Sequence, residues 1–149
     1  ERTVMYDSSD LKIGEDNKKT ISEYVIEINK ILKKYPIKDE GVPIIIEQAL
    51  EKDSIDELEK IDPAIKKYQS MAEELMALKV PRAASVAHLW LANSVYNLAD
   101  DFRSMKMVYT DPVKTFLAII QHEKTLEELR LALAGLAGYF QSMKSTISP

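Results

Sequence analysis

Residues 82–112, RAASVAHLWLANSVYNLADDFRSMKMVYTDP, carry the strongest indication of how this chain folds. Their apolar side chains recur in steps of three and four, the spacing of a helix face that packs beside other helices. That face consists of Ala84, Ala87, Leu91, Val95, Leu98, Phe102, Met105 and Tyr109. Thr110, Asp111 and Pro112 then supply a cap and a proline for a following helix. Two long helices joined by about three residues must fold back as an antiparallel hairpin.

The last helix, which begins near Pro112, is apolar on two sides. The side chains predicted to form one apolar face are Ile119, Leu126, Leu129, Leu133, Leu136, Ala137 and Phe140. A second set lies on a different side and consists of Val113, Leu117, Ile120, Leu131, Gly135 and Gly138. A helix with two apolar sides contacts two neighbours, or one neighbour and a partner. The small residues near its end allow another helix to approach closely, with a contact inside the domain favoured over self-association.

Proline and capping residues divide the earlier part of the chain into shorter helices. Asp16 or Asn17 caps the first, Pro36 ends it, Pro43 opens a second, and Asp62 with Pro63 opens a third. The side chains expected to face inward from the second helix are Ile45, Ile46, Ala49 and Leu50. We therefore predict an all-α protein: a four- to five-helix bundle with a long C-terminal antiparallel helical hairpin. Residues 1–15 form an irregular N-terminal arm, and residues 16–149 form a single helical-bundle domain.

Composition narrows the classes of function. The 149 residues are 46% apolar and 30% charged, as in an ordinary globular domain. There is no cysteine, which excludes disulfides, thiolate catalysis and cysteine zinc sites. The net charge of −4 argues against nucleic-acid binding. No apolar run reaches the roughly 18 residues that a membrane-spanning helix needs, so we expect no membrane-spanning segment in this chain.

The sequence starts at Glu1 without an initiator methionine. We therefore expect that a segment upstream was removed. A signal peptide or membrane anchor is favoured over a tag or a disordered tail. On that expectation an extracytoplasmic location is slightly favoured over a cytoplasmic one.

Motifs of common enzyme classes are missing from the sequence. It has no Gly-x-Ser-x-Gly elbow, no glycine-rich phosphate loop and no His-Glu-x-x-His. The Glu-x-x-His pattern of carboxylate metal bundles is also missing, because Ser85 and Ile119 precede the two histidines by three positions. His88 and His122 are expected to lie about 15 Å apart along the hairpin, too far to share a metal. We predict a non-enzymatic protein without a metal or cofactor.

The leading hypothesis is an interaction or structural domain that binds a protein partner or a second copy of itself. Tryptophan is a frequent anchor of interfaces, and the chain has one. It lies outside the narrow apolar face, so either it is buried where three helices meet or it is partly exposed as an anchor. The residues predicted to carry the surface are Trp90, Leu89, Leu117, Leu131 and Gly135.

The alternative hypothesis is a bundle that binds a small ligand in a pocket between the hairpin helices. Counting from the turn near residue 110 places His122 opposite residues 97–101, where a hydrogen bond with an aspartate is available. The polar residues nearest such a pocket are His122, Asn97, Asp101 and Tyr96. A neighbouring row of polar side chains on the same helix, Asn93, Asn97, Asp100 and Ser104, is interpreted as a solvated outer face.

Overall fold

A computed structural model describes residues 4–144 of the chain. This part contains five α-helices, so the predicted all-α bundle is confirmed. The helices are α1 (Lys18–Lys34), α2 (Val42–Lys52), α3 (Asp62–Ala77), α4 (Ser85–Met105) and α5 (Pro112–Ser142). Three 3-10 segments connect them or precede them, at Ser8–Asp10, Ile55–Ile61 and Arg82–Ala84.

Several helices begin at the predicted capping and proline residues. The Asn17 side chain accepts a hydrogen bond from the Thr20 N–H, which satisfies a free donor at the start of α1. At the start of α5 the Asp111 carboxylate accepts a hydrogen bond from the Lys114 backbone N–H in the same way. Pro43 occupies the first turn of α2, where its missing N–H costs nothing.

Two local predictions for α2 and α3 are wrong. Asp62 opens α3 but does not cap it: its carboxylate lies 2.6 Å from the Lys106 ammonium, and the cap position is Ile61. Leu50 was predicted to face inward but is exposed, whereas Ile46 and Ala49 are buried. The helix starts follow from proline, but the direction of a side chain depends on which neighbours the rest of the chain supplies.

Helix α4 lies at the centre of the bundle, with α3 and α5 packed against it. Most of its predicted apolar face is buried, namely Ala84, Leu91, Val95, Leu98, Phe102 and Met105. Ala87 and Tyr109 are only half-buried. The predicted apolar face of α4 therefore lies in the core, to which all five helices contribute buried side chains.

The hairpin of α4 and α5 is antiparallel. Near its turn the Thr115 hydroxyl donates to the Ser104 carbonyl oxygen at 2.9 Å, and at its far end Gly135 lies beside Ala87. The connection is residues 106–111, six rather than three, because α4 ends at Met105 before reaching Tyr109. The Tyr109 hydroxyl instead donates to the Ala49 carbonyl and ties the turn to α2.

The N-terminal arm contains a short strand that the sequence did not reveal. Strand β1 (Lys12–Gly14) pairs in parallel with β2 (Lys79–Pro81), just before α4. A β-carbon at Gly14 would lie 2.9 Å from the Thr20 side chain, so the close approach of arm and helix requires glycine there.

The side chain of Asn93 also holds the arm. Its amide oxygen accepts from the Tyr6 N–H at 2.9 Å, and its amide nitrogen donates to the Tyr6 carbonyl at 3.0 Å. The interpretation of Asn93 as part of a solvated face is therefore wrong. Helix α4 holds the arm at Asn93, and the Tyr6 ring packs edge-on against the Tyr96 ring of the same helix.

None of the helices within residues 4–144 is long and apolar enough to cross a membrane.

Candidate functional site

The face of α5 that packs against α4 is built from small and polar side chains together with a few large ones. Its buried members, spaced by three, four or seven residues, are Thr115, Ala118, Thr125, Leu129, Ala132, Leu136 and Tyr139. Short side chains let the two helices approach closely. The Thr115 hydroxyl donates a hydrogen bond to the Ser104 carbonyl oxygen of α4. The predicted inward face is correct at Leu129 and Leu136. It is wrong at Ile119 and Leu126, which are 45% and 44% exposed, and at Ala137, which is also exposed.

The large apolar side chains of α5 are concentrated on its solvent side. Those exposed in the structure are Val113, Phe116, Leu117, Ile119, Ile120, Leu126 and Leu131. One row of exposed residues runs along the helix in alternating steps of four and three, and we call it the outer stripe of α5. It consists of Val113, Leu117, Ile120, Lys124, Glu127, Leu131, Ala134 and Gly138. Contiguous exposed apolar surface of this kind typically marks an interaction site.

Trp90 is 56% exposed on α4, so the structure selects the partly exposed alternative. It lies three positions after Ala87, whose β-carbon faces Gly135, and Leu131 lies one turn before Gly135 on α5. The contact of α4 with Gly135 therefore lies at Ala87, one turn before the tryptophan. Leu117 lies about 27 Å from Gly135 along the helix, and Leu89 is half-buried beside Trp90. The five predicted residues are therefore spread along a face and do not form one compact patch.

A groove of about 650 Å³ runs beside the outer stripe near Leu117. The arm closes it on one side with Val4 and Met5, and the hairpin contributes Tyr96 and Asp101. The groove is open to solvent and adjoins the apolar end of α5. Two of the four residues predicted to line a ligand pocket are therefore found in it.

A second cavity, of about 400 Å³, lies on the other side of the α4–α5 contact. His122 and Leu126 of α5 line it together with Phe102 of α4 and Tyr68 of α3. The His122 ring packs on Phe102 with centroids 5.3 Å apart. Asn97 lines neither this cavity nor the groove. The four residues predicted for one pocket are thus not gathered in one place.

The predicted contact between His122 and an aspartate is present. His122 Nδ1 lies 3.4 Å from an Asp101 carboxylate oxygen, and the Asp101 side chain is buried between the helices. The carboxylate oxygen accepts this hydrogen bond from an N–H on the His122 ring. The pair links the wall of the groove to the wall of the second cavity.

A polar cluster fixes the loop that covers the second cavity. The Tyr68 hydroxyl donates to Glu40 at 2.9 Å, and the Lys67 ammonium lies 2.7 Å from the same carboxylate oxygen. Burial, and then the hydrogen bond to Glu40, raise the pKa of the Tyr68 phenol. The phenol therefore stays neutral and continues to donate, which holds residues 37–40 against α3.

His88 forms a buried contact that the sequence analysis missed. Its Nε2 donates to the Leu75 carbonyl oxygen at 2.8 Å, which leaves Nδ1 to accept from the Tyr24 hydroxyl at 2.7 Å. Burial lowers the pKa of His88 to about 4, although the bond to Leu75 acts in the opposite direction. The sequence spacing does indicate that His88 faces the core, because Ala84, His88, Leu91 and Val95 follow one another in steps of four and three.

No three His, Cys, Asp or Glu side chains among residues 4–144 are grouped so that they could hold a metal ion. No family model matches the chain, and neither a curated protein nor a solved structure matches it.

Proposed function

We propose that this chain is a non-enzymatic interaction domain that binds a protein through the outer stripe of α5. The observation that carries the proposal is the placement of large apolar side chains on the solvent side of that helix. Val113, Leu117 and Ile120 occupy consecutive positions of one row. Over the same stretch the buried residues of α5 are the small Thr115 and Ala118. Burying the large apolar side chains in a partner is worth about 1.5–3 kcal/mol each.

The surroundings of the stripe favour a protein partner. Trp90 of α4 provides a partly exposed aromatic side chain, and the groove beside Leu117 provides a concave surface near one end of the stripe. Charged side chains flank the apolar row, as polar rims flank the centres of protein interfaces.

Site-specific photo-cross-linking tests this function. A photoreactive amino acid is placed at Ile120, 57% exposed on the stripe, and in a matched variant at Ile44, 60% exposed on α2. Both variants are expressed in the cells that make the protein and are irradiated there. We expect a discrete adduct from position 120 and none from position 44. If position 120 gives no adduct under these conditions, the proposal is wrong.

A second candidate function is the binding of a small ligand in the 400 Å³ cavity. The observation that favours it is the combination of apolar walls with an imidazole, a phenol and a carboxylate, from His122, Tyr68 and Glu40. Such a mixture of apolar surface and few polar groups is typical of ligand sites. Screening a fragment library by NMR tests it, with the buried His88 ring as internal control. Compounds that shift the His122 signals and leave those of His88 unchanged are expected; if none does, this candidate is dropped.

A further inference from the structure

Resting on the proposed function, we infer that the protein bound by the outer stripe is a second copy of this chain. The two α5 helices pair antiparallel about a twofold axis at the level of residues 125 and 126. A twofold contact uses the same surface on both copies, so the surface must complement itself. The charges and the sizes of the side chains along the stripe are both self-complementary about this axis.

The charges at the centre of the stripe are arranged for antiparallel pairing. Only Lys124 and Glu127 interrupt its apolar and small residues, and they carry opposite charges. With the axis midway between them, Lys124 of each copy faces Glu127 of the other, which gives two ion pairs. Parallel pairing would instead set lysine against lysine and glutamate against glutamate, which is unfavourable.

The sizes of the side chains match about the same axis. Ile120 meets Leu131 of the second copy, Leu117 meets Ala134, and Val113 meets Gly138. In the outer layers the larger residues of one end of the stripe therefore fall against the small residues of the other end. The stripe spans about 37 Å of helix, long enough for more than three heptads of contact.

A second ion pair flanks the stripe on one side. Glu123 and Arg130 are exposed at the positions beside it, and antiparallel pairing brings each near the other of the second copy. Arg130 contacts Glu127 of its own helix at 2.6 Å, but both side chains are exposed. Exposed pairs of this kind contribute little, so they can be exchanged for pairs across the interface at small cost.

Gly138 supplies an independent observation. A glycine in a helix interior is about 1 kcal/mol less favourable than alanine. A β-carbon added at Gly138 would have no described atom outside its own turn within 4 Å. Packing within the described domain therefore gives no reason for glycine at this position. Close approach of the second copy's Val113 gives one.

Charge reversal tests the pairing in the purified chain. We expect sedimentation velocity to show wild type at twice the mass of the chain. Lys124→Glu and Glu127→Lys should each weaken the dimer at least about tenfold, and the double variant should restore it. Lys66→Glu, the same change on an exposed part of α3, is the control and should have no effect. Thermal melts verify that each variant is folded.

The absence of cysteine in the sequence allows a direct test of orientation. Positions 117 and 134 lie about 26 Å apart on one helix, too far for a disulfide within one chain. Leu117→Cys combined with Ala134→Cys should give a covalent dimer under oxidation, and each single variant should remain uncrosslinked. Cross-linking of the Leu117→Cys variant alone would indicate parallel pairing and would contradict the inference.

The outcomes separate this inference from the proposed function. A purified chain that stays monomeric at millimolar concentration, with a position-120 adduct to a different protein, overturns self-pairing and leaves the interaction function standing. If neither Lys124→Glu nor Glu127→Lys weakens the dimer, the proposed arrangement is wrong. No adduct at position 120 and no dimer overturn both proposals.

Discussion

His88 holds three helices together through its two ring nitrogens. One bonds Tyr24 of α1 and the other bonds the Leu75 carbonyl of α3, while the ring itself belongs to α4. Burial keeps the ring neutral, and the two bonds then select the tautomer with the proton on Nε2. The contact stabilises the fold, and the charge state of one side chain controls it.

The free energy of unfolding should decrease when the pH falls below the pKa of a free histidine side chain. Because the pKa of His88 is about 4 in the folded chain and about 6.5 when unfolded, the unfolded chain takes up the proton first. The full contribution, on the order of 3 kcal/mol, is present above pH 6.5 and is lost progressively toward pH 4. Urea unfolding across this range measures it. NMR titration that shows His88 charging near pH 6.5 in the folded chain would contradict it.

Two buried tyrosines should respond oppositely to loss of their hydroxyl groups. Tyr24→Phe removes the donor to His88 Nδ1 and leaves a buried acceptor unpaired, so we expect a loss of about 1–3 kcal/mol. Tyr139 lies against the Tyr24 ring, and its buried hydroxyl has no partner among the described residues. Tyr139→Phe should therefore be neutral or slightly stabilising. Chemical unfolding of both variants at pH 7 gives the comparison, and equal losses would refute it.

At the scale of elements, the spacing of apolar residues predicted the helices, because each helix buries one row against the core. Prolines and caps placed the starts of α2, α3 and α5 within about a residue of where they begin. The β1–β2 pair was not predicted, because three-residue strands carry little pattern and their partners lie 67 positions apart.

The orientation of α5 was predicted only in part. Its sequence is apolar on several sides, and the side that α4 covers mixes small residues, which allow close packing, with Leu129, Leu136 and Tyr139. Which apolar row remains outside depends on the surface that α4 presents, and the sequence of α5 alone does not contain that information.

The candidate site was predictable where it depended on the register of the hairpin. Counting from the turn located Asp101 opposite His122, and the two are in contact. The cavity beside His122 also requires residues 37–40 and Tyr68, which long-range packing brings there. The exposure of Trp90 depended likewise on how far α5 covers α4.

Two glycines with open space around their α-carbons should respond oppositely to alanine. A β-carbon at either Gly138 or Gly41 meets no described atom within 4 Å. Gly138→Ala should stabilise helix α5 by up to about 1 kcal/mol. Gly41 has a φ of +67° before α2, so alanine there should cost about 1 kcal/mol. Thermal unfolding in an Ile120→Glu background, which blocks association, measures both; the same sign for both would refute the prediction.

At the scale of the whole molecule, the N-terminal arm is attached at two separate places. It pairs with β2 ahead of α4, and Asn93 binds both polar backbone groups of Tyr6. The arm forms one wall of the groove beside Leu117. The shape of that groove therefore depends on contacts far from it in sequence.

Removing one of these attachments should loosen the arm and leave the bundle intact. Asn93→Ala should raise the hydrogen-exchange rate of the Tyr6 amide about tenfold or more, since the lost hydrogen bonds are worth roughly 1 kcal/mol or more. Asn97→Ala, one turn along α4, is the matched control and should leave that amide protected. Unchanged exchange in the Asn93 variant would show that β1 alone holds the arm.

The arm's parallel pairing also sets an order of events in time. Residues 12–14 are made well before residues 79–81, and Tyr6 precedes Asn93 by 87 positions. A ribosome adds roughly 5–20 residues per second, so β2 and Asn93 are made several seconds after the arm. The α4–α5 hairpin needs only contacts between neighbouring segments and closes quickly. Both partners of the arm, β2 and Asn93, are nevertheless synthesised before α5, so the arm can form its wall of the groove before Leu117 of α5 supplies another.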